Sequence, residues 1–300
     1  MNGLQQLMAF AQTARRGGFA AAARDLGGAP STLAKSVARL EVSLGVKLFH
    51  RTTRQVSLTP DGERLFRRCE RILAEVEDLH AEAAGTRAAV TGTLRLDAPV
   101  TYGRLILMPV LAELMQAHPA LDLDLRLQDG YADLVRDGLD AAIRVGELRD
   151  STLVARRIDW QDLVLVASPA YLEARGRPER LEDLAGHAAV VFRMPSSGRH
   201  RPWQLKSGRR VVELHPPHRA QVSDGDGIVA AAVMGLGLGQ VPDFMAADAL
   251  ARGALVEVLR PHRPPPMPVS VVMPSSRLQP PRVRALFEAL EPLRQRAARA

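Results

Sequence analysis

Cysteine is nearly absent from this chain. The lone Cys69 excludes a disulfide framework and a thiolate metal cluster. No apolar run reaches the ~18 residues that a membrane span requires. The N-terminus also lacks the form of a secretory leader. Gln5, Gln6 and Gln12 break its apolar positions, and no small-residue cleavage site follows. These absences predict a cytoplasmic chain with no membrane partner. Lysine is scarce as well: Lys35, Lys47 and Lys206 are the only three, so arginine carries most of the positive charge.

What is present reads as an ordinary globular chain. Its 300 residues, 46 % hydrophobic and 24 % charged, suffice for two or three compact units with real cores. The net charge is +7, and its placement says more than its size. Residues 1–60 carry Arg15, Arg16, Arg24, Lys35, Arg39, Lys47, Arg51 and Arg54 against only Asp25 and Glu41. Nearly all of the excess therefore falls in one fifth of the chain. A compositional preference for arginine explains Arg over Lys but not this clustering, which is the footprint of a polyanion binder.

The same segment has a helical period. Leu4, Leu7, Met8, Ala11 and Ala14 line one face, and Gly17-Gly18 stops the helix. Phe19, Ala22, Ala23 and Leu26 line a second, short helix ending at Gly27-Gly28. Pro30 suits the first position of a third helix, which buries Leu33, Val37, Leu40 and Leu44. Its other face offers Ser31, Thr32, Lys35, Ser36 and Arg39. Helix, glycine turn, helix with a polar-basic outer face is the helix-turn-helix layout, its last helix entering the DNA major groove. Residues 48–58 then read as a hairpin wing anchored by Phe49, Val56 and Leu58, with Arg51, Thr52 and Arg54 at its tip, facing phosphates or the minor groove.

Phe19-Ala-Ala-Ala-Ala-Arg-Asp-Leu26, Leu40-Glu41, Leu44-Gly45-Val46, Leu48-Phe49-His50-Arg51 and Leu58-Thr59-Pro60-Asp61-Gly62 together closely resemble the LysR-type transcriptional regulators. The chain departs from the family's pattern at Ala29 and Ala34, where many members carry a polar N-cap and a serine. Weight therefore shifts to Pro30, Ser31, Thr32, Lys35 and Arg39 as the docking set.

Thr59 and Pro60 open a further helix whose apolar or small residues fall at Leu65, Cys69, Ile72, Val76, Leu79 and Ala83. The spacings of 4 and 3 alternate as in a heptad seam, and packing on the helix's own domain is the competing reading. The resemblance implies a coiled-coil dimer that sets two DNA-binding domains on neighbouring half-sites. Tetramers are common in the family, and RNA polymerase is a candidate partner at the nucleoid. Cys69 falls on the seam and reads as a small buried hydrophobe.

Beyond a hinge at residues 84–92, strands alternate with helices, which predicts α/β layers with a mostly parallel sheet. Leu121 to Leu127 alternates strictly, and a single terminal helix is expected from Val283 to Arg296. The resemblance implies a two-lobed effector domain similar to periplasmic solute-binding proteins of type 2. The division expected is 1–59 for the winged helix-turn-helix, 60–86 for the linker helix and 87–300 for the effector domain. Within the last, lobe I takes about 92–162 and 268–300, and lobe II about 163–267.

Ligands of open α/β sheets bind at the carboxyl ends of strands. Pro99, Val100 and Thr101 follow one such end, where backbone N–H groups and a hydroxyl suit a carboxylate. Arg144 lies at another, where it suits bidentate pairing with an acid. Capping competes for Thr101, and an internal salt bridge for Arg144. Phe192, Ser196, Ser197 and Asp224 are expected from the second lobe. The effector so implied is a small organic acid, with no cofactor and no metal. Gly235-Leu-Gly-Leu-Gly239 has neither the spacing nor the strand-to-helix order of a dinucleotide turn. His215-Pro-Pro-His218 lacks further ligands for a metal, and no residue order matches a hydrolase triad. A regulator is expected, not an enzyme.

Overall fold

The computed structural model describes residues 3–51, 56–83, 89–130, 132–148, 153–195, 197–275 and 279–297. Its main division falls after Gly92, giving two compact units. Among the described residues no helix is long and apolar enough to cross a membrane.

The first unit opens with α1 (Gly3–Arg16), α2 (Phe19–Leu26) and α3 (Pro30–Leu44). Gly27 turns α2 into α3 at φ 65°, a conformation costly for any residue with a Cβ. The wing follows as β1 (Phe49–Arg51) and β2 (Val56–Leu58), paired antiparallel from Phe49↔Leu58 to Arg51↔Val56. The scarce aromatics gather here. Phe10 meets Phe49 at 5.4 Å and Phe66 at 6.2 Å, and Phe19 meets Phe49 at 5.9 Å, all edge to face.

Polar bonds fix the wing's two ends. The buried Glu41 carboxylate accepts the N–H groups of Leu48 at 2.9 Å and Phe49 at 3.3 Å, so α3 itself sets where the wing begins. At the exit, Thr59 Oγ1 donates to the Lys47 carbonyl at 2.6 Å and accepts the Gly62 N–H at 2.9 Å. A Cβ on Gly62 would lie 2.1 Å from the Leu48 carbonyl oxygen, so glycine is required there by contact. This junction launches α4 (Pro60–Ala83).

Three apolar positions differ from the sequence expectation. Met8, Leu26 and Leu44 are exposed, because this small three-helix core is already filled by Phe10, Val37 and Leu48. Cys69 also changes partners. It packs in the core of the first unit with Leu65, Phe66 and Leu73 beside it, and its Sγ donates to the Leu7 carbonyl at 3.3 Å. Ile72 and Leu79 remain 44 % and 62 % exposed, so the heptad period joins two differently used stretches.

The second unit holds two five-stranded sheets. The first comprises β3 (Gly92–Ala98), β4 (Leu121–Leu127), β5 (Ala141–Val145), β6 (Leu153–Gln161) and β14 (Met267–Pro274), in the order β4-β3-β5-β14-β6. The second comprises β7 (Leu163–Ala167), β8 (Ala189–Phe192), β11 (His218–Val222), β12 (Leu238–Pro242) and β13 (Val256–Val258), in the order β11-β8-β12-β7-β13. A hairpin of β9 (Trp203–Ser207) and β10 (Arg210–Leu214) lies apart.

These sheets are mixed, not mostly parallel. β3–β5, β11–β8 and β12–β8 are parallel, whereas β14 runs antiparallel to β5 and β6, and β7 to β12 and β13. The cause is the double crossing between sheets. The chain leaves the first sheet at Gln161, enters the second at Leu163, and returns on β14, which must run against its neighbours.

The helices of the first lobe include α5 (Val100–Tyr102), which continues through a π-turn at Gly103–Leu107 into α6 (Met108–Ala117), and the short α7 (Leu134–Asp137). The second lobe adds α8 (Pro169–Arg175), α9 (Gly225–Val233) and α10 (Asp243–Ala251). The C-terminal helix is broken in two at Leu290, giving α11 (Pro281–Ala289) and α12 (Glu291–Ala297). Pro292 lacks an N–H and suits only a first turn.

Candidate nucleic-acid interface and ligand cleft

Helix α3 separates its faces cleanly. Leu33, Ser36, Val37, Leu40 and Glu41 are buried, while Pro30, Ser31, Thr32, Lys35 and Arg39 are exposed together. Ser36, read from sequence as outward, belongs to the inner face. Ala29 sits at the N-cap in extended conformation with no side-chain bond to the helix. The first turn of α3 therefore has no capping side chain at the end that also carries the exposed hydroxyls. Arg51 closes β1; Thr52 and Arg54 lie outside the described residues.

The cleft opens between the two sheets of the second unit. Pro99, Thr101, Tyr102 and Arg144 line it from the first lobe, and Phe192, Arg201, Trp203 and Met245 from the second. Gln161 lines it at the crossing between the lobes and is itself almost wholly buried. The walls thus join aromatic, aliphatic and thioether side chains to a polar set of Thr101, Gln128, Asp129, Arg144, Gln161, Arg201 and Gln240, the mixture that lets a ligand site hold an organic body and orient its polar groups.

Arg144 is held by the protein. Its Nη1 donates to Asp97 Oδ1 at 2.5 Å and to the Ile143 carbonyl at 3.1 Å, and its Nη2 donates to the Ala132 carbonyl at 3.3 Å. Gln128 Nε2 donates to the other Asp97 oxygen at 2.6 Å. The internal salt bridge thus prevails over a guanidinium presented to a ligand. The reason is strand pairing: β3 and β5 are adjacent, with Asp97 opposite Ala142.

Other expected ligand residues have structural tasks. The Asp224 carboxylate caps α9 by accepting the Gly227 N–H at 3.1 Å. Val100 donates its N–H to Asp129 Oδ1 at 3.1 Å. Ser197 Oγ accepts the Arg199 N–H at 3.3 Å in an exposed turn, and Ser196 lies outside the described residues. Thr101 is buried, and its hydroxyl donates to Asp226 at 3.4 Å. Sequence reasoning missed Arg201, Trp203, Gln161 and Met245, which only the folding of distant segments brings together.

A helix-turn-helix with a wing, on one chain with a two-lobed ligand cleft, defines a ligand-responsive DNA-binding regulator. Residues 4–63 match the family model for bacterial regulatory helix-turn-helix proteins of the lysR family, and residues 87–294 match that for the LysR substrate binding domain. The HTH-type transcriptional regulator CrgA of Neisseria meningitidis serogroup C (strain 8013) is 34 % identical over 255 residues, 85 % of this chain and 84 % of its own. The HTH-type transcriptional regulator DmlR of Escherichia coli (strain K12) is 34 % identical over 261 residues, 85 % and 83 % of the two chains. The solved structure of CrgA from Neisseria meningitidis aligns over 96 % of this chain and 98 % of its own, with a TM-score of 0.61 and 32 % identity. The chain belongs to the LysR-type transcriptional regulators. It carries their DNA-binding and effector-binding domains, and its relatives are regulators of transcription, not enzymes.

Proposed function

We propose that this regulator binds promoter DNA as a dimer through α3 and the wing, and that a small organic acid in the cleft changes that binding. Pro30, Ser31, Thr32, Lys35 and Arg39 dock α3 in the major groove. Arg51, Thr52 and Arg54 of the wing meet the flanking backbone or minor groove. The observation that carries the reading is the shared exposure of Lys35, Arg39 and the two hydroxyls on one face of α3. The exposed Ile72 and Leu79, seven residues apart on α4, support a second copy as that helix's partner. Pairs of such dimers would form the tetramer, with RNA polymerase contacted from the promoter and the whole complex in the cytoplasm.

The acid enters this reading through the aromatic and aliphatic walls of the cleft, which suit an organic body, and through the Thr101 hydroxyl at the first turn of a helix, which suits a carboxylate. Closure of the lobes on the acid shifts the arrangement of subunits and so the bending of promoter DNA.

Hydroxyl-radical footprinting of the full-length protein on the DNA upstream of its own gene tests the arrangement. Two protected half-sites separated by about one turn, ~34 Å, or a multiple of it are expected. Loss of both in Lys35→Ala would accompany them. A single protected half-site, or protection unchanged in that variant, contradicts the proposal.

A further inference from the structure

Residues 193–219 of the second lobe carry seven Lys or Arg and a single carboxylate, Glu213. Arg193, Arg199, Lys206, Arg209, Arg210 and Arg219 are all exposed, and none of the six is paired with a carboxylate among the described residues. Elsewhere in the same lobe basic side chains do have such partners: Arg180 meets Asp183, Arg252 meets Asp248, and Arg263 meets Glu257. The fold gathers the unpaired cations into two groups. At one end, Arg193 bridges antiparallel to His200, His200 Nε2 lies 3.0 Å from His215 Nδ1, and the His200 ring lies 5.1 Å from that of His218. Three separate segments are thereby held together, and Arg199 and Arg219, chain neighbours of His200 and His218, come to the same place. At the other end, Lys206, Arg209 and Arg210 surround the turn of the β9–β10 hairpin, where Ser207 pairs with Arg210. The length of β9, Trp203–Ser207, sets the two groups about 15 Å apart at ~3.4 Å per residue.

We infer that this basic rim of the effector domain holds the phosphate backbone of duplex DNA flanking the operator, as a second contact surface besides α3. The occupant follows from the chemistry. A small anion needs polar groups converging in a concavity, whereas Lys206, Arg209 and Arg210 stand exposed around a hairpin turn, and Arg219 lies on β11, the edge strand of its sheet. A protein partner's interface centres on aromatic and aliphatic anchors. Between residues 193 and 219, Val211 is the one large hydrophobic side chain left exposed among the described residues. Duplex DNA asks for neither a concavity nor an apolar anchor. It presents a phosphate charge every ~1.7 Å along its axis, on two backbones that border a major groove ~12 Å wide, close to the spacing of the two basic groups. Cations without internal partners release its condensed counterions with no ion pair of the protein to break first. Mutual repulsion among them is relieved in the same step. This surface is additional to the α3 docking face and does not depend on it.

The test is the salt dependence of binding by the full-length protein to two duplexes, one limited to the operator and one extended by several turns on each side. The slope of log affinity against log salt should be steeper on the longer duplex, by about 0.9 for each added phosphate contact. Lys206→Gln, Arg209→Gln and Arg210→Gln combined should lower the slope on the longer duplex by about 3 and leave that on the shorter one at the wild-type value. The charge-preserving exchange Lys206→Arg, Arg209→Lys and Arg210→Lys should behave as the wild type, since counterion release follows charge. Equal wild-type slopes on the two duplexes, or a difference that survives the glutamine variant, overturns the inference while the α3 reading, measured on the shorter duplex, stands. Equal DNA slopes together with retention of polyglutamate by the wild type but not by the glutamine variant would assign the rim to an acidic protein, and the inference falls in that case too.

Discussion

Asp97 and Arg144 form an ion pair whose side chains are 0 % and 8 % exposed. Removing one partner of such a pair leaves a buried charge uncompensated, which costs about 3–5 kcal/mol. Asp97→Ala should lose that much stability in denaturant unfolding of the effector domain, and Asp97→Ala with Arg144→Met should recover most of it. The pair is half legible in the sequence. Arg144 stands out as a strand-end group with a salt bridge as its competing reading, but its partner Asp97 does not, and only the pairing of β3 with β5 puts them together. Cys69 offers a second test at this scale. Burial chiefly, and then the neighbouring Glu70, push its thiol up to about 12, against ~8.5 for a free thiol. The native state therefore holds the proton more tightly than the unfolded chain does. The stability this lends is present below about pH 8.5 and fades as pH rises above it. At pH 8 an aromatic disulfide reagent should label Cys69 slowly in the native protein and fast in denaturant. Fast native labelling would contradict its place in the core.

Elements whose signals are local are legible in the sequence itself. The three helices, their glycine stops and the wing follow from spacing alone, because each is decided by neighbours within a few residues. Glu41 shows what spacing cannot give. It reads as a helix-face acid, yet it fixes the start of the wing by accepting two backbone N–H groups. The strands β8, β9, β10 and β11 carry no such signal, since residues 189–222 lack a sustained apolar alternation and owe their pairing to the distant β12 and to one another. At α3 the missing cap makes a direct prediction. Ala29 has the extended backbone an N-cap needs but no oxygen to offer, so Ala29→Ser should stabilise the DNA-binding domain by about 1 kcal/mol in chemical denaturation. A loss of stability would show that the helix start is already satisfied by other means.

At the scale of the whole molecule, charge and topology each depart from the linear reading. The first sixty residues do carry a strong basic excess, but residues 193–219 carry another, with seven Lys or Arg against Glu213 alone. The two sum to more than the chain's net charge, so the remainder is net acidic. Of this second cluster Arg201 lines the cleft, while Lys206 and Arg210 lie on the β9–β10 hairpin and Arg219 on β11. Such a field would draw in anionic ligands as readily as a polyanion. The mixed sheets are illegible in the sequence for a related reason: strand direction depends on when the chain crosses between lobes, and no local pattern records that. The most direct test of the account is the salt dependence of promoter binding by the full-length protein, measured by fluorescence anisotropy. Log affinity should fall linearly with log salt, and Lys35→Ala and Arg39→Ala should each weaken binding and reduce the slope by about 1. Affinity and slope that match the wild type in both variants would contradict α3 as the surface that meets DNA.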